Sequence, residues 1–214
     1  MIYEDLKNKY IDCGKIDVLL KNTEIKVLNE FLSNWASITK FNNDFYGEKL
    51  PKTVLCGINP GKNGAGKTGL PFLDFTSLSK LMNNVNRQDT ERSAQFFYDI
   101  VQELGAKDFY KTFYVTNISW IGYIKGNKNL NYYDLPLTVK KFVYDMFIYE
   151  MDMVSPTTII SLSGAVKDTV KELFDDSSVE TNLQLPHPNY CAFPKNYKSC
   201  KAKYINLLSQ FIKK

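Results

Sequence analysis

Short apolar runs bounded by turn formers recur along the chain at Thr53 to Gly57, Thr112 to Thr116, Thr157 to Leu162 and Glu180 to Leu185. That length and punctuation predict strands. Between them the spacing of apolar positions changes to that of a helix. Leu137 to Met153 carries Val139, Phe142, Val143, Met146, Phe147 and Met153 on one helical face, and it stops before Ser155-Pro156, where the residue ahead of proline is pushed towards extended geometry. Phe75 to Asn84 and Thr90 to Gly105 read as helices, the second running from an N-cap-capable threonine to a closing glycine. Gly164 to Phe174 and Tyr197 to Ile212 supply two more, and a helical pair, Ile2 to Leu20 and Thr23 to Ala36, precedes the first strand. Strand and helix in alternation predict an α/β fold, a three-layer α/β/α arrangement with a central four-stranded parallel sheet covered on both faces. The segment from Ile124 to Leu135 is polar and turn-rich and reads as a loop beside the ligand site.

Composition narrows this picture. A chain of 214 residues that is 44% apolar is most simply one domain, here 1–214, with an N-terminal helical part at 1–50 and an α/β core at 51–214. No run of about 18 apolar residues is present, so no membrane span is expected. The N-terminus mixes acidic and basic residues without an apolar signal core, and a cytoplasmic protein is expected. Cys13, Cys56, Cys191 and Cys200 form no C-x-x-C pair, which argues against zinc, a thioredoxin-like site or an iron–sulfur cluster. Nothing calls for an obligate oligomer, so a monomer is expected. The net charge of +4 is too small to announce nucleic acid by itself. Its distribution says more: from His187 to Lys214 there are six lysines, Lys195, Lys198, Lys201, Lys203, Lys213 and Lys214, and no acidic residue. Such a run is ordinarily a solvated helix face, but it can also hold phosphates.

In parallel sheets, ligands collect at the carboxyl ends of the strands. That rule selects Asn59 to Phe72, Asn117, and His187 to Asn189. Within the first segment, Gly61, Gly66, Lys67 and Thr68 fit the phosphate-loop pattern G-x-x-x-x-G-K-[ST]. A phosphate loop must run straight into a helix whose N-terminal amides hold the phosphates. Here Gly69, Leu70 and Pro71 follow, which are poor material for a first helical turn, and neither later strand ends in a magnesium-binding aspartate. A nucleotide-binding protein using Gly61 to Thr68 remains an alternative.

The whole stretch from Val54 to Phe75, VLCGINPGKNGAGKTGLPFLDF, resembles motif 1 of the uracil-DNA glycosylase superfamily in its single-strand-selective monofunctional branch, at Gly57, Asn59, Pro60, Gly61, Gly64, Thr68, Gly69, Pro71 and Phe72. FYVTNISW resembles the family strand whose terminal Asn reads a flipped pyrimidine, with Asn117 in that position. LPHPNYCAFP resembles the segment that carries the catalytic imidazole, here His187, the only histidine in the chain. The resemblance implies a monofunctional hydrolase that removes uracil from DNA in base-excision repair, with other deaminated or oxidised bases as further substrates, and with no metal and no cofactor. It implies catalytic roles for Asn59, which orients water, and His187, which donates to the departing base. Gly57, Ile58, Gly61, Gly64, Phe72 and Asn117 would bind the base, the glycines by allowing close approach.

Contacts to DNA are expected from Lys62, Lys67, Asn189, Tyr190, Phe193, Lys195, Tyr197 and Lys198, because lysines hold phosphates and aromatics unstack base steps. Taken singly, Phe72 reads as core, Asn117 as a turn residue and His187 as part of a proline turn. Their coincidence at three strand ends favours a site. The chain departs from the family pattern at Lys62 and Asn63, where a proline and an aromatic are common, and after His187-Pro188, where Asn189 replaces serine. A catalytically inactive relative that only binds DNA is a further alternative.

Overall fold

The computed structural model describes residues 2–47, 49–83, 85–175 and 177–212. The predicted helix end Asn84 and the basic-tail residues Lys213 and Lys214 lie outside them. The described residues form six strands: β1 (Ile25–Leu28), β2 (Thr53–Gly57), β3 (Phe113–Asn117), β4 (Gly122–Lys125), β5 (Lys128–Leu130) and β6 (Thr158–Ser161). Strands β3, β2 and β6 make a parallel sheet in that order, and register puts Gly57 level with Asn117. Val54, Leu55 and Cys56 are fully buried, as expected for a strand covered on both faces. The α/β class holds.

The central sheet has three regular strands rather than the predicted four. The predicted fourth, Glu180 to Leu185, runs parallel to β6 but meets it only through bridges at Glu180 and Gln184. Its Glu180 carboxylate accepts from the Asn182 amide at 2.6 Å, and this local turn diverts the backbone from a continuous ladder.

The N-terminal half also differs from the predicted helical pair. The first member is broken: helix Ile2–Lys7 leads through a π-helical turn to Gly14, whose φ of 65° starts a separate helix, Lys15–Leu20. The predicted second helix, Thr23 to Ala36, is replaced by β1, a 3₁₀ turn at Glu30–Asn34 and a helix at Trp35–Phe41. The Ile-Lys-Val-Leu alternation of β1 finds an antiparallel partner in β4, and tertiary pairing overrides the helical reading. Strand β4 pairs in turn with β5, so the predicted loop from Ile124 to Leu135 is largely a hairpin followed by a 3₁₀ turn at Tyr132–Asp134. An unpredicted helix, Ala106–Thr112, leads into β3.

Among the described residues, the remaining helices of seven residues or more are Phe75–Leu81, Arg92–Leu104, Leu137–Val154, Gly164–Leu173 and Pro194–Leu208. Two contacts matter for the site. Glu150 of the helix Leu137–Val154 accepts hydrogen bonds from Tyr114 (2.9 Å) and Thr116 (2.6 Å), which fixes β3 just ahead of Asn117. Burial pushes its carboxyl up to about 7, so the neutral acid is favoured below that pH. At the start of β4, a side chain on Gly122 would sit 2.3 Å from the Pro60 carbonyl, so only glycine lets the hairpin press against the loop after β2.

Candidate active site

The loop leaving β2 is held by its own side chains. Asn59 accepts from the Tyr132 amide at 3.0 Å and donates to the carbonyls of Leu130 (3.2 Å) and Pro60 (3.3 Å), tying the loop to the hairpin. Lys62 donates its amide to Asn129 (3.1 Å) and its ammonium to Asn127 (2.6 and 2.7 Å), which strengthens that link. A short helix, Ala65–Thr68, closes on Gly69 in the left-handed region. Thr68 is fully buried and donates to the Leu73 carbonyl at 2.7 Å, and Lys67 pairs with Asp89 at 3.2 Å. Neither group is free to hold a nucleotide, and the four-residue helix lacks the length a phosphate loop exploits.

Phe72 follows with φ of 57°, an uncommon conformation for a residue with a side chain and one that concentrates at functional sites. One face of its ring stacks on Phe97 at 4.8 Å and 24°, and the ring also borders the open cleft. Gly57 lies beneath. A side chain there would come within 2.4 Å of both Asn117 Oδ1 and the Phe72 ring, so the glycine is what lets these two groups converge.

Asn117, only 3% exposed, ends β3 with its carboxamide bordering the same cleft and hydrogen-bonded to no described residue. His187 caps the short helix Pro188–Cys191, and its Nδ1 accepts from the Asn189 amide at 3.1 Å. Desolvation pulls its pKa down to about 4, so the imidazole is neutral at ordinary pH. A neutral imidazole whose Nδ1 accepts carries its proton on Nε2, which makes that nitrogen a donor. Tyr204 anchors this loop by donating to the Pro186 carbonyl at 2.7 Å.

These groups meet in one cleft of about 580 Å³ at the carboxyl ends of β2 and β3. Ile58, Asn59, Gly61, Phe72, Asn117, His187 and Asn189 line it. Gly57 and Gly64 do not, and the group that presses on Gly61 and Gly64 is the Glu91 carboxylate. Among the expected DNA contacts, Lys62 and Lys67 are engaged within the protein and stand off the lining, and Tyr197 donates to Asp99. Tyr190, Phe193, Lys195 and Lys198 are exposed outside the cleft, with the Arg92 guanidinium over the Phe193 ring at 5.8 Å.

Several cleft residues carry no motif in the sequence, chief among them Glu91, Arg92, Asn129 and Asn131. The polar loop reading pointed towards the two asparagines. Glu91 gave no signal beyond its place near a helix start. Among the described residues, no group of three or more His, Cys, Asp or Glu is placed to hold a metal, and no helix is long and apolar enough to cross a membrane.

The model of the uracil DNA glycosylase superfamily matches residues 45–209. Among solved structures, the chain is similar to wild-type SMUG2 of Pedobacter heparinus, at 25% identity and a TM-score of 0.72 over 96% of each chain. No curated protein matches.

Proposed function

Because the chain belongs to the uracil DNA glycosylase superfamily, we propose that it is a monofunctional DNA glycosylase that hydrolyses the N-glycosidic bond of uracil in DNA, in base-excision repair. The observation that carries this reading is the meeting of Asn59, Phe72, Asn117 and His187 in one cleft. Breaking the bond between sugar and base puts negative charge on the base and oxocarbenium character on the sugar. The enzyme must therefore extrude the nucleotide, grip the base edge and hold the departing anion.

Phe72, backed by Phe97, offers a ring on which the extruded base can stack, worth about 1–3 kcal/mol. The Asn117 carboxamide, hydrogen-bonded to no described residue, can donate to O4 and accept from N3–H at once, and it meets the amino group and bare N3 of cytosine with the wrong polarity. His187 Nε2–H is a neutral donor for O2 as charge gathers there. Among the described residues no lysine lines the cleft, so none of them brings an amine to form a Schiff base with the sugar, which supports hydrolysis without strand cleavage. Tyr190, 56% exposed and three residues after His187, suits the wedge that replaces the extruded base in the stack.

The test is abasic-site formation in a uracil-containing oligonucleotide by wild type, Asn117→Ala and His187→Ala. Both variants are expected to lose most of the rate while keeping their fold. Wild-type rates in both would refute the assignment.

A further inference from the structure

Asn59 leaves the cleft without a base. A carboxamide cannot take a proton from water at neutral pH, and both ends of this one are already tied to Tyr132, Leu130 and Pro60. Only one carboxylate lines the cleft among the described residues, that of Glu91.

Its placement is built. The Glu91 amide donates to Asp74 Oδ2 at 2.7 Å, and Asp74, fully buried at the end of the motif, is itself fixed by Ser77 and Gln95. The side chain then reaches the loop after β2. A side-chain carbon on Gly64 would lie 1.9 Å from Glu91 Oε2, and one on Gly61 would lie 2.8 Å from Oε1. Two motif glycines thus form a cradle that the carboxylate occupies. Desolvation, and then the nearby Asp74 charge, raise its pKa above the ordinary value of 4.5, while the Ser93 hydroxyl works the other way. The other charged or titratable groups nearby are Arg92 and the neutral His187, which share the cleft, and the Lys67–Asp89 pair, which lies off its lining.

Resting on the glycosylase reading, we propose that Glu91 is a catalytic residue that takes the proton of the attacking water. As the bond from C1′ to the base breaks, its electron pair leaves with the base as an anion held by His187. The water oxygen bonds to C1′, and one water proton passes to the Glu91 carboxylate. That proton is then returned to the departing base or to solvent, so the products are an abasic sugar and the neutral base. Asn59 in this scheme is a positioning residue that holds the loop against the hairpin.

The experiment is single-turnover cleavage of a uracil oligonucleotide from about pH 5 to about pH 8 by wild type, Glu91→Gln, Glu91→Asp and Gly64→Ala, with binding to the thymine counterpart measured alongside. His187, with its pKa at about 4, stays neutral throughout this window. The wild-type rate is expected to rise with pH and level off once Glu91 is ionised. Glu91→Gln should be slower by about 10²–10⁴-fold, lose the acid limb and bind DNA no more weakly, since a negative charge has been removed. Glu91→Asp should keep the limb, and Gly64→Ala, which displaces the carboxylate, should be slowed without weaker binding. A flat wild-type profile, or a Glu91→Gln enzyme that is as fast as wild type or retains the limb, overturns the role while the glycosylase reading stands. A wild-type protein that forms no abasic product at any pH overturns both.

Discussion

At the scale of single residues, His187 and Gly57 carry the sharpest consequences. The imidazole is neutral because burial disfavours its charged form, so the donor role proposed for it needs no proton uptake near pH 6.5. Removing one preorganised donor to a developing anion costs about 2.7–4 kcal/mol, so His187→Ala should slow single-turnover cleavage by about 10²–10³-fold. The same shift has a sign for stability. Between its ordinary pKa of 6.5 and about 4, the unfolded chain binds a proton that the folded chain does not, so His187 makes the fold less stable as pH falls through that window. Melting temperatures should show this acid slope in wild type and lose His187's share of it in His187→Ala. Gly57→Ala should force Asn117 and Phe72 apart and cost about 10²-fold in rate, as misplacement by about 1 Å can. Asn59, Phe72, Asn117 and His187 could be singled out because each lies within a distinctive run, and the structure brings all four to one cleft. Glu91 was not, because its meaning lies in contact with Gly61 and Gly64, which local sequence does not encode.

At the scale of elements, β2, β3 and β6 were readable within a residue or so at each end, since buried parallel strands show as continuous apolar runs. Glu180 to Leu185 misled because its alternation is that of a strand while the Glu180 side chain turns the backbone aside. Strands β1, β4 and β5 are three or four residues each, too short for periodicity to register, and β5 presents mostly exposed polar side chains. The link between β3 and the helix Leu137–Val154 depends on Glu150. Glu150→Ala should destabilise by about 1–3 kcal/mol by leaving two hydroxyls short of a buried acceptor. Because its folded pKa of about 7 lies above the ordinary 4.5, the neutral acid's contribution is present below pH 4.5 and is lost as pH rises towards 7. Denaturant unfolding at several pH values should show that loss in wild type and not in Glu150→Gln, which keeps an acceptor for both hydroxyls.

At the scale of the molecule, the basic run after His187 was legible as charge but not as geometry. Lys201 pairs with Glu103 at 2.7 Å, while Lys195 and Lys198 remain exposed on the helix Pro194–Leu208, close in sequence to the cleft loop. Replacing both by alanine should weaken DNA binding evenly across sequences and lower the salt dependence by about two phosphate contacts, with catalysis in the bound state unchanged. The central claim is that the cleft removes uracil from DNA by hydrolysis. It is tested most directly by incubating the protein, without metal or nucleotide, with a labelled oligonucleotide holding one uracil and then treating with alkali. Strand scission that appears only after alkali is the predicted result. An intact strand in both single- and double-stranded substrates would contradict it.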